Sequence, residues 1–126
     1  MPLLLVMIGG ALGAAARYLA GRAGLALLGP AMPWGTCFVN LTGGLFMGLL
    51  VGLLARHPSP AGEPIRLFGA VGVLGGYTTF SSFSLETVNM IQRGQAALAL
   101  GYVASSAAGA ILLLVAGLAL VRLLPA

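Results

Sequence analysis

The stretch GGYTTFSSFSLE, residues 75–86, lies inside a chain that is otherwise almost uniformly apolar. It sets two glycines, a tyrosine, two threonines, three serines, two phenylalanines and a carboxylate into one hydrophobic segment. Gly-Gly followed by β-branched Thr-Thr is a poor helix sequence. The expectation is therefore a helical segment that breaks near Gly75 to Thr79. If the segment crosses a membrane, broken backbone at that depth has to be buried in protein or line a cavity, because lipid offers no hydrogen bonds.

The rest of the chain makes the membrane reading the natural one. Of 126 residues, 60% are hydrophobic and 6% charged, whereas a soluble domain carries about 25% charged residues. Trp34–Ala55, Leu67–Leu85 and Gln95–Val121 are free of charge over 22, 19 and 27 residues, near the roughly 20 needed to cross the hydrocarbon core. A first span is placed over residues 3–28, with Arg17 in its deeper part. The expected fold is all-α and integral to the membrane, a single domain over residues 1–126. Its four transmembrane helices per subunit cover about 3–28, 34–55, 65–92 and 95–122. Strand alternation is absent, so a barrel is not expected. The amino-terminal apolar run has no basic residue ahead of it and is read as a retained span, not a signal peptide. The loops are short, and three prolines interrupt the second, RHPSPAGEP, at 56–64. Small residues at Gly9/Gly13 and Gly44/Gly48 are spaced for close helix contact.

Composition also excludes functions. The six arginines are dispersed and no lysine occurs, so no basic stripe for nucleic acid exists. Cys37 is the only cysteine, His57 the only histidine, and aspartate is absent. Neither a nucleophilic triad nor a clustered metal site can be assembled, and the chain is not read as an enzyme. GGYTT superficially echoes the TVGYG filter of potassium channels, but its order differs and no pore-helix arrangement surrounds it. Orientation is undecided: four spans put Arg56, Arg66 and Arg122 on one side, against Arg93, Arg22 and Arg17 on the other. Three against three, or three against two with Arg17 buried, gives no positive-inside signal. A chain without one can insert both ways and pair antiparallel with its own copy.

Polar groups inside a membrane face a bundle interior or a pathway. Here they are hydroxyls, phenols and an amide, with Glu86 the only carboxylate inside a span. Such a donor-rich, acid-poor route suits a small anion. Phe80, Phe83 and Thr87 fall at i, i+3 and i+7 on one face. Tyr102, Ser105, Ser106 and Gly109 form a second stripe. Aromatic edges are positive, so two phenylalanines presented edge-on can flank an anion.

Three motifs carry a resemblance over essentially the whole chain: GGALGAAARY (9–18), GTCFVNLTGG (35–44) and GVLGGYTTFSSFSLE (72–86). In this order the sequence resembles the Fluc, or CrcB, family of fluoride channels. The resemblance implies passive fluoride export through an antiparallel, dual-topology homodimer with two pathways, in the cell inner membrane. It implies a structural Na+ at the dimer centre, held by the carbonyls of Gly75 and Thr78 from both subunits. Phe80 and Phe83 correspond to an aromatic box and Asn40 to a fluoride donor. Tyr102 and Ser106, with Ser81 and Ser82, correspond to a polar track. Arg17 and Glu86 look like charged pathway or vestibule residues. No protein partner beyond the second copy is implied. Two departures stand out: Ser81-Ser82 where the family often has Ser-Thr, and Ala110 where some members carry a further hydroxyl. Two other readings compete. A small multidrug exporter needs a titratable acid, usually in the first span, where this chain has Arg17. In a non-transporting assembly subunit the polar groups would serve as interhelical glue.

Overall fold

The computed structural model describes residues 1–125, and every described element is helical. Helix α1 runs Pro2–Leu28 and α2 Trp34–Arg56. A short α3, Gly62–Ile65, continues with helical backbone angles into a π-helical stretch, Arg66–Leu74, and one further turn, α4, Gly75–Tyr77. After an interruption at Thr78–Phe80, α5 covers Ser81–Gln92 and α6 Ala96–Arg122. Helices α1, α2 and α6 are each long and apolar enough to cross a membrane.

Proline and glycine set the ends. Pro33 precedes the first residue of α2, and Pro58 and Pro60 keep the chain out of helix after Arg56. Gly94 takes φ 77° after α5, a left-handed conformation that glycine adopts without strain. There the Gly94 and Gln95 amides turn back to the carbonyls of Ile91 and Met90. Arg56 donates to the carbonyls of Val121 and Leu124, so it satisfies the carboxyl end of α6 and ties it to the end of α2.

Packing is glycine-mediated. Helix α2 lies along α6, and α1 lies along the π-helical stretch and α4. A methyl group at Gly44 would come within 2.5 Å of the Ala110 carbonyl oxygen, and one at Gly117 within 2.6 Å of that of Leu45. At Gly48 it would overlap the Leu114 carbonyl. On the other seam, a methyl at Gly9 meets the Phe68 carbonyl at 2.5 Å, and one at Gly76 meets that of Gly10 at 2.5 Å. The small-residue pairs noted in the sequence thus mark both seams. Lipid tails are as apolar as leucine, so close backbone approach replaces the hydrophobic effect as the source of association.

The interruption begins at Thr78, toward the end of the Gly75–Thr79 stretch that the sequence marks. Gly75 keeps helical angles, φ −62° and ψ −39°, and the backbone turns extended only at Thr78, φ −84° and ψ 158°. Gly76 is needed for its lack of a side chain against α1 rather than for flexibility.

Outside the apolar spans, Glu63 accepts two hydrogen bonds from Arg66, 2.9 and 2.7 Å long. The Arg66 guanidinium holds the Glu63 carboxyl below its usual range. A depressed carboxylate contributes stability above its ordinary pKa and loses it as pH falls through the lowered one. Both side chains are exposed, and exposed pairs are screened by water. Glu63→Gln is therefore expected to leave the melting midpoint in detergent unchanged within error at both pH 7 and pH 4. A clear drop confined to pH 7 would contradict this.

Candidate functional site

The interruption at Thr78–Phe80 is held by side chains from two neighbouring helices. Asn40 of α2 donates from Nδ2 to the Thr79 carbonyl at 3.0 Å and accepts the Thr79 amide at Oδ1 at 2.9 Å. Arg17 of α1 donates from Nε to the Gly76 carbonyl at 3.1 Å. The Thr42 hydroxyl donates to the Phe38 carbonyl at 2.7 Å and lies 2.9 Å from the Tyr77 hydroxyl. Its one proton is already committed, so Tyr77 is the donor of that pair. Thr79 Oγ1 accepts the Ser82 amide at 3.1 Å, satisfying a first-turn donor of α5.

These bonds redirect the backbone. The Thr79 and Ser82 amides would close helical turns onto the carbonyls of Gly75 and Thr78. Both amides are taken by side-chain oxygens instead. The Gly75 and Thr78 carbonyls are thus left without their usual i+4 donors.

An open groove of about 400 Å³ runs beside this break, lined by Asn40, Thr78, Thr79, Phe80, Phe83 and Ser106, with Met47, Ile111, Leu114 and small residues completing it. No charged side chain lines it. Three rings lead inward from it. Phe80 is 80% exposed. Phe83 follows with its centroid 5.9 Å away, and Tyr102 lies 5.1 Å beyond, with tilts of 50° and 48°. Tyr102 is fully buried, and its hydroxyl has no hydrogen-bond partner among the described residues. Ser106, also buried, donates to Cys37 Sγ at 3.7 Å.

The structure thus brings Asn40, Phe80, Phe83 and Ser106 to one groove and sets Tyr102 directly behind. Ser81 and Ser82 open α5 but do not line the groove. Glu86 faces a separate cavity of about 240 Å³, with Thr36, Asn89, Met90 and Arg93. Its Oε1 is buried without a partner. Arg17 lines a third cavity, of about 280 Å³, with Tyr18, Gly21, Arg22, Leu25 and Thr36. Ser105 leaves the expected stripe: it is exposed and bonds back to the Tyr102 carbonyl. Phe80 precedes α5 instead of lying on it, yet its ring still packs on Phe83. Sequence reasoning missed the Tyr77–Thr42 contact and the bond that the Ser82 amide donates to Thr79 Oγ1. For the second, a threonine three residues ahead of a helix's first amides was the available signal.

An all-helical membrane protein with glycine-packed seams, a pinned backbone break and a largely apolar groove, free of charge and edged by Asn40, Thr78, Thr79 and Ser106, belongs to the class of small-ion transport proteins. The particular family follows from comparison. The profile described as "CrcB-like protein, Camphor Resistance (CrcB)" matches residues 4–118. A Sphingopyxis alaskensis protein named "Fluoride-specific ion channel FluC" is 55% identical over 121 residues, covering 96% of this chain and 95% of its own length. Proteins of the same name from Novosphingobium aromaticivorans and Mesorhizobium japonicum are 50% and 46% identical, covering 93% and 98% of both chains. The chain belongs to the CrcB family and is a multi-pass membrane protein.

Proposed function

We propose that this protein is a fluoride channel that lets fluoride leave the cytoplasm down its electrochemical gradient, across the cell inner membrane. The observation that carries this reading is the groove of Asn40, Phe80, Phe83 and Ser106, which sets an amide and two phenyl rings together and carries no charged side chain. Fluoride binds water strongly, so a passage that strips it must offer close hydrogen-bond donors. Charge-assisted bonds to an anion are roughly twice as strong as neutral ones. A fixed carboxylate in the groove would repel the ion, and none is there. The ring series Phe80–Phe83–Tyr102 gives the anion positive edges between the exposed groove and the interior. Chloride is larger and cannot gather the same donors as closely. Membership of a family whose relatives are named fluoride-specific channels supports the choice of halide. In this reading Ser81 and Ser82 serve the mouth of the route, while Arg17 and Glu86 draw or hold ions in the flanking cavities.

The working unit is an antiparallel homodimer. The even arginine tally supports insertion both ways. So do the Gly75 and Thr78 carbonyls, which lack their helical donors. Backbone carbonyls freed at a helix break suit a hard cation such as Na+. Hard cations take about six or more oxygens, so the two carbonyls of one chain cannot complete a site alone; a second copy would add its own two, with water or hydroxyl oxygens making up the rest.

The test is efflux from liposomes reconstituted with the purified protein. Fluoride is expected to leave rapidly and chloride to stay. Phe80→Ile and Phe83→Ile are expected to cut fluoride efflux by on the order of tenfold or more while the dimer still elutes intact, because isoleucine keeps bulk but loses the positive edge. Equal fluoride and chloride rates, or full flux in both variants, would overturn the reading.

A further inference from the structure

Arg17 grips the backbone break ahead of Thr78, at the Gly76 carbonyl, and Asn40 grips it behind, at Thr79. Between these two holds stands Tyr77, the last residue of α4. If its ring only filled space, phenylalanine would serve as well. Its hydroxyl, however, is also committed. It donates to Thr42 Oγ1 of α2 at 2.9 Å, because the single Thr42 proton already goes to the Phe38 carbonyl at 2.7 Å. Both side chains are half-buried. Beside this bond α2 presents the buried Gly43. A methyl there would overlap Thr78 Cγ2 and lie 3.5 Å from Tyr77 Cδ2, so glycine lets Tyr77 and Thr78 lie directly against α2.

Tyr77 also lies between the two residues whose carbonyls have lost their helical donors, Gly75 and Thr78. The spacing of those carbonyls is therefore set across Tyr77. Thr78 keeps its own amide on the Leu74 carbonyl at 3.0 Å and then turns extended, so the chain pivots directly after the anchored ring. Oxygen ligands favour a given hard cation only at the separation and rigidity that its size demands. We propose that Tyr77 is a positioning residue: its bond to Thr42 fixes the spacing of the Gly75 and Thr78 carbonyls and thereby sets the affinity of the break for Na+. This rests on the reading that those carbonyls, with a second copy's, hold the ion. Tyr77 itself touches no ion and acts through the backbone.

The test is the melting midpoint of the purified protein across a range of NaCl, with ionic strength held by N-methylglucamine chloride. Linkage raises the midpoint once Na+ exceeds its dissociation constant, and the wild-type protein is expected to show such an onset. Tyr77→Phe keeps the ring and removes the donor. It is expected to move the onset to Na+ concentrations higher by on the order of tenfold, as loss of an outer partner does at metal sites. Thr42→Val, which removes the acceptor, should move it likewise, and the double variant should add little to either single change. Thr42→Ser keeps the hydroxyl and should restore the wild-type onset. A merely structural contact would lower the midpoint equally at every Na+ concentration, none included, and leave the onset in place. That outcome in Tyr77→Phe and Thr42→Val overturns the proposal while the cation reading stands, because the wild-type protein still responds. A wild-type midpoint indifferent to Na+ overturns both, whatever the fluoride efflux.

Discussion

Gly13→Ala is expected to destabilise the protein strongly in detergent, although it adds a single methyl group to a helix that alanine favours. In α1 that methyl would overlap the Val73 carbonyl oxygen and lie 2.8 Å from the Tyr77 amide nitrogen. Every obstructing atom is backbone, so no side chain can swing aside. The helix-propensity gain from Gly to Ala is about 1 kcal/mol. Overpacking costs about 1–3 kcal/mol where side chains can adjust, and more where they cannot. The clash wins. Helix α1 must then back away from the π-helical stretch, and the 3.1 Å bond from Arg17 to the Gly76 carbonyl is lost with it. The melting midpoint is expected to fall by on the order of 10 °C, with fluoride efflux lost. The control lies two turns along the same helix. A methyl at Gly21 meets nothing within 4 Å, so Gly21→Ala should match or slightly exceed the wild-type midpoint. Wild-type stability in Gly13→Ala, or an equal loss in Gly21→Ala, would show that the seam does not depend on this contact.

The same seam shows which parts of the architecture were legible. Helical spacing of Gly9 with Gly13 and of Gly44 with Gly48 is a local signal, and both pairs do lie where backbones meet. That the chain is helical and apolar follows from composition alone. The break was legible in kind and roughly in place, but not the residue at which it begins. Propensity marked the stretch from Gly75 to Thr79; within it Gly75 and Gly76 stay helical, Gly76 packed where a methyl would strike the Gly10 carbonyl of α1. The turn into extended backbone comes at Thr78, where Asn40, 39 residues away from Thr79, supplies bonds that the helix would otherwise make. Nothing local encodes that exchange. The π-helical stretch at Arg66–Leu74 is likewise unannounced by its residues. Among the candidate site residues, Phe80, Phe83, Asn40 and Ser106 converge on one groove. Glu86 and Arg17 each face a cavity of their own, a division that depends on how the helices cross and not on spacing along any one of them.

Asn40→Ala is expected to suppress fluoride efflux by on the order of a hundredfold, and the reason lies in what the amide already holds. Asn40 meets both the amide and the carbonyl of Thr79. Removing it strands two backbone groups, each costing about 1–3 kcal/mol when left buried and unpaired. Interhelical bonds in membranes are usually worth less, about 0.6 kcal/mol, because alternative partners are found. Thr79 can find such partners only by moving, and its movement takes Phe80 out of the groove. The Thr79 amide would then return to the Gly75 carbonyl as a helical partner, so the break itself closes. Two substitutions separate this clamping role from direct donation to fluoride. Asn40→Ser keeps a donor but is too short to reach both Thr79 groups. If clamping dominates, it should fail as badly as alanine, with a lowered melting midpoint; if Asn40 served only as a fluoride donor, serine would retain intermediate flux and a normal midpoint. Asn40→Asp keeps the acceptor for the Thr79 amide but loses the donor to its carbonyl and sets a negative charge in a groove that has none. It should therefore fold better than the alanine variant and yet conduct no more fluoride. A hundredfold loss of flux in Asn40→Ala at an unaltered midpoint would leave the clamp without support and return Asn40 to the role of an ion ligand alone.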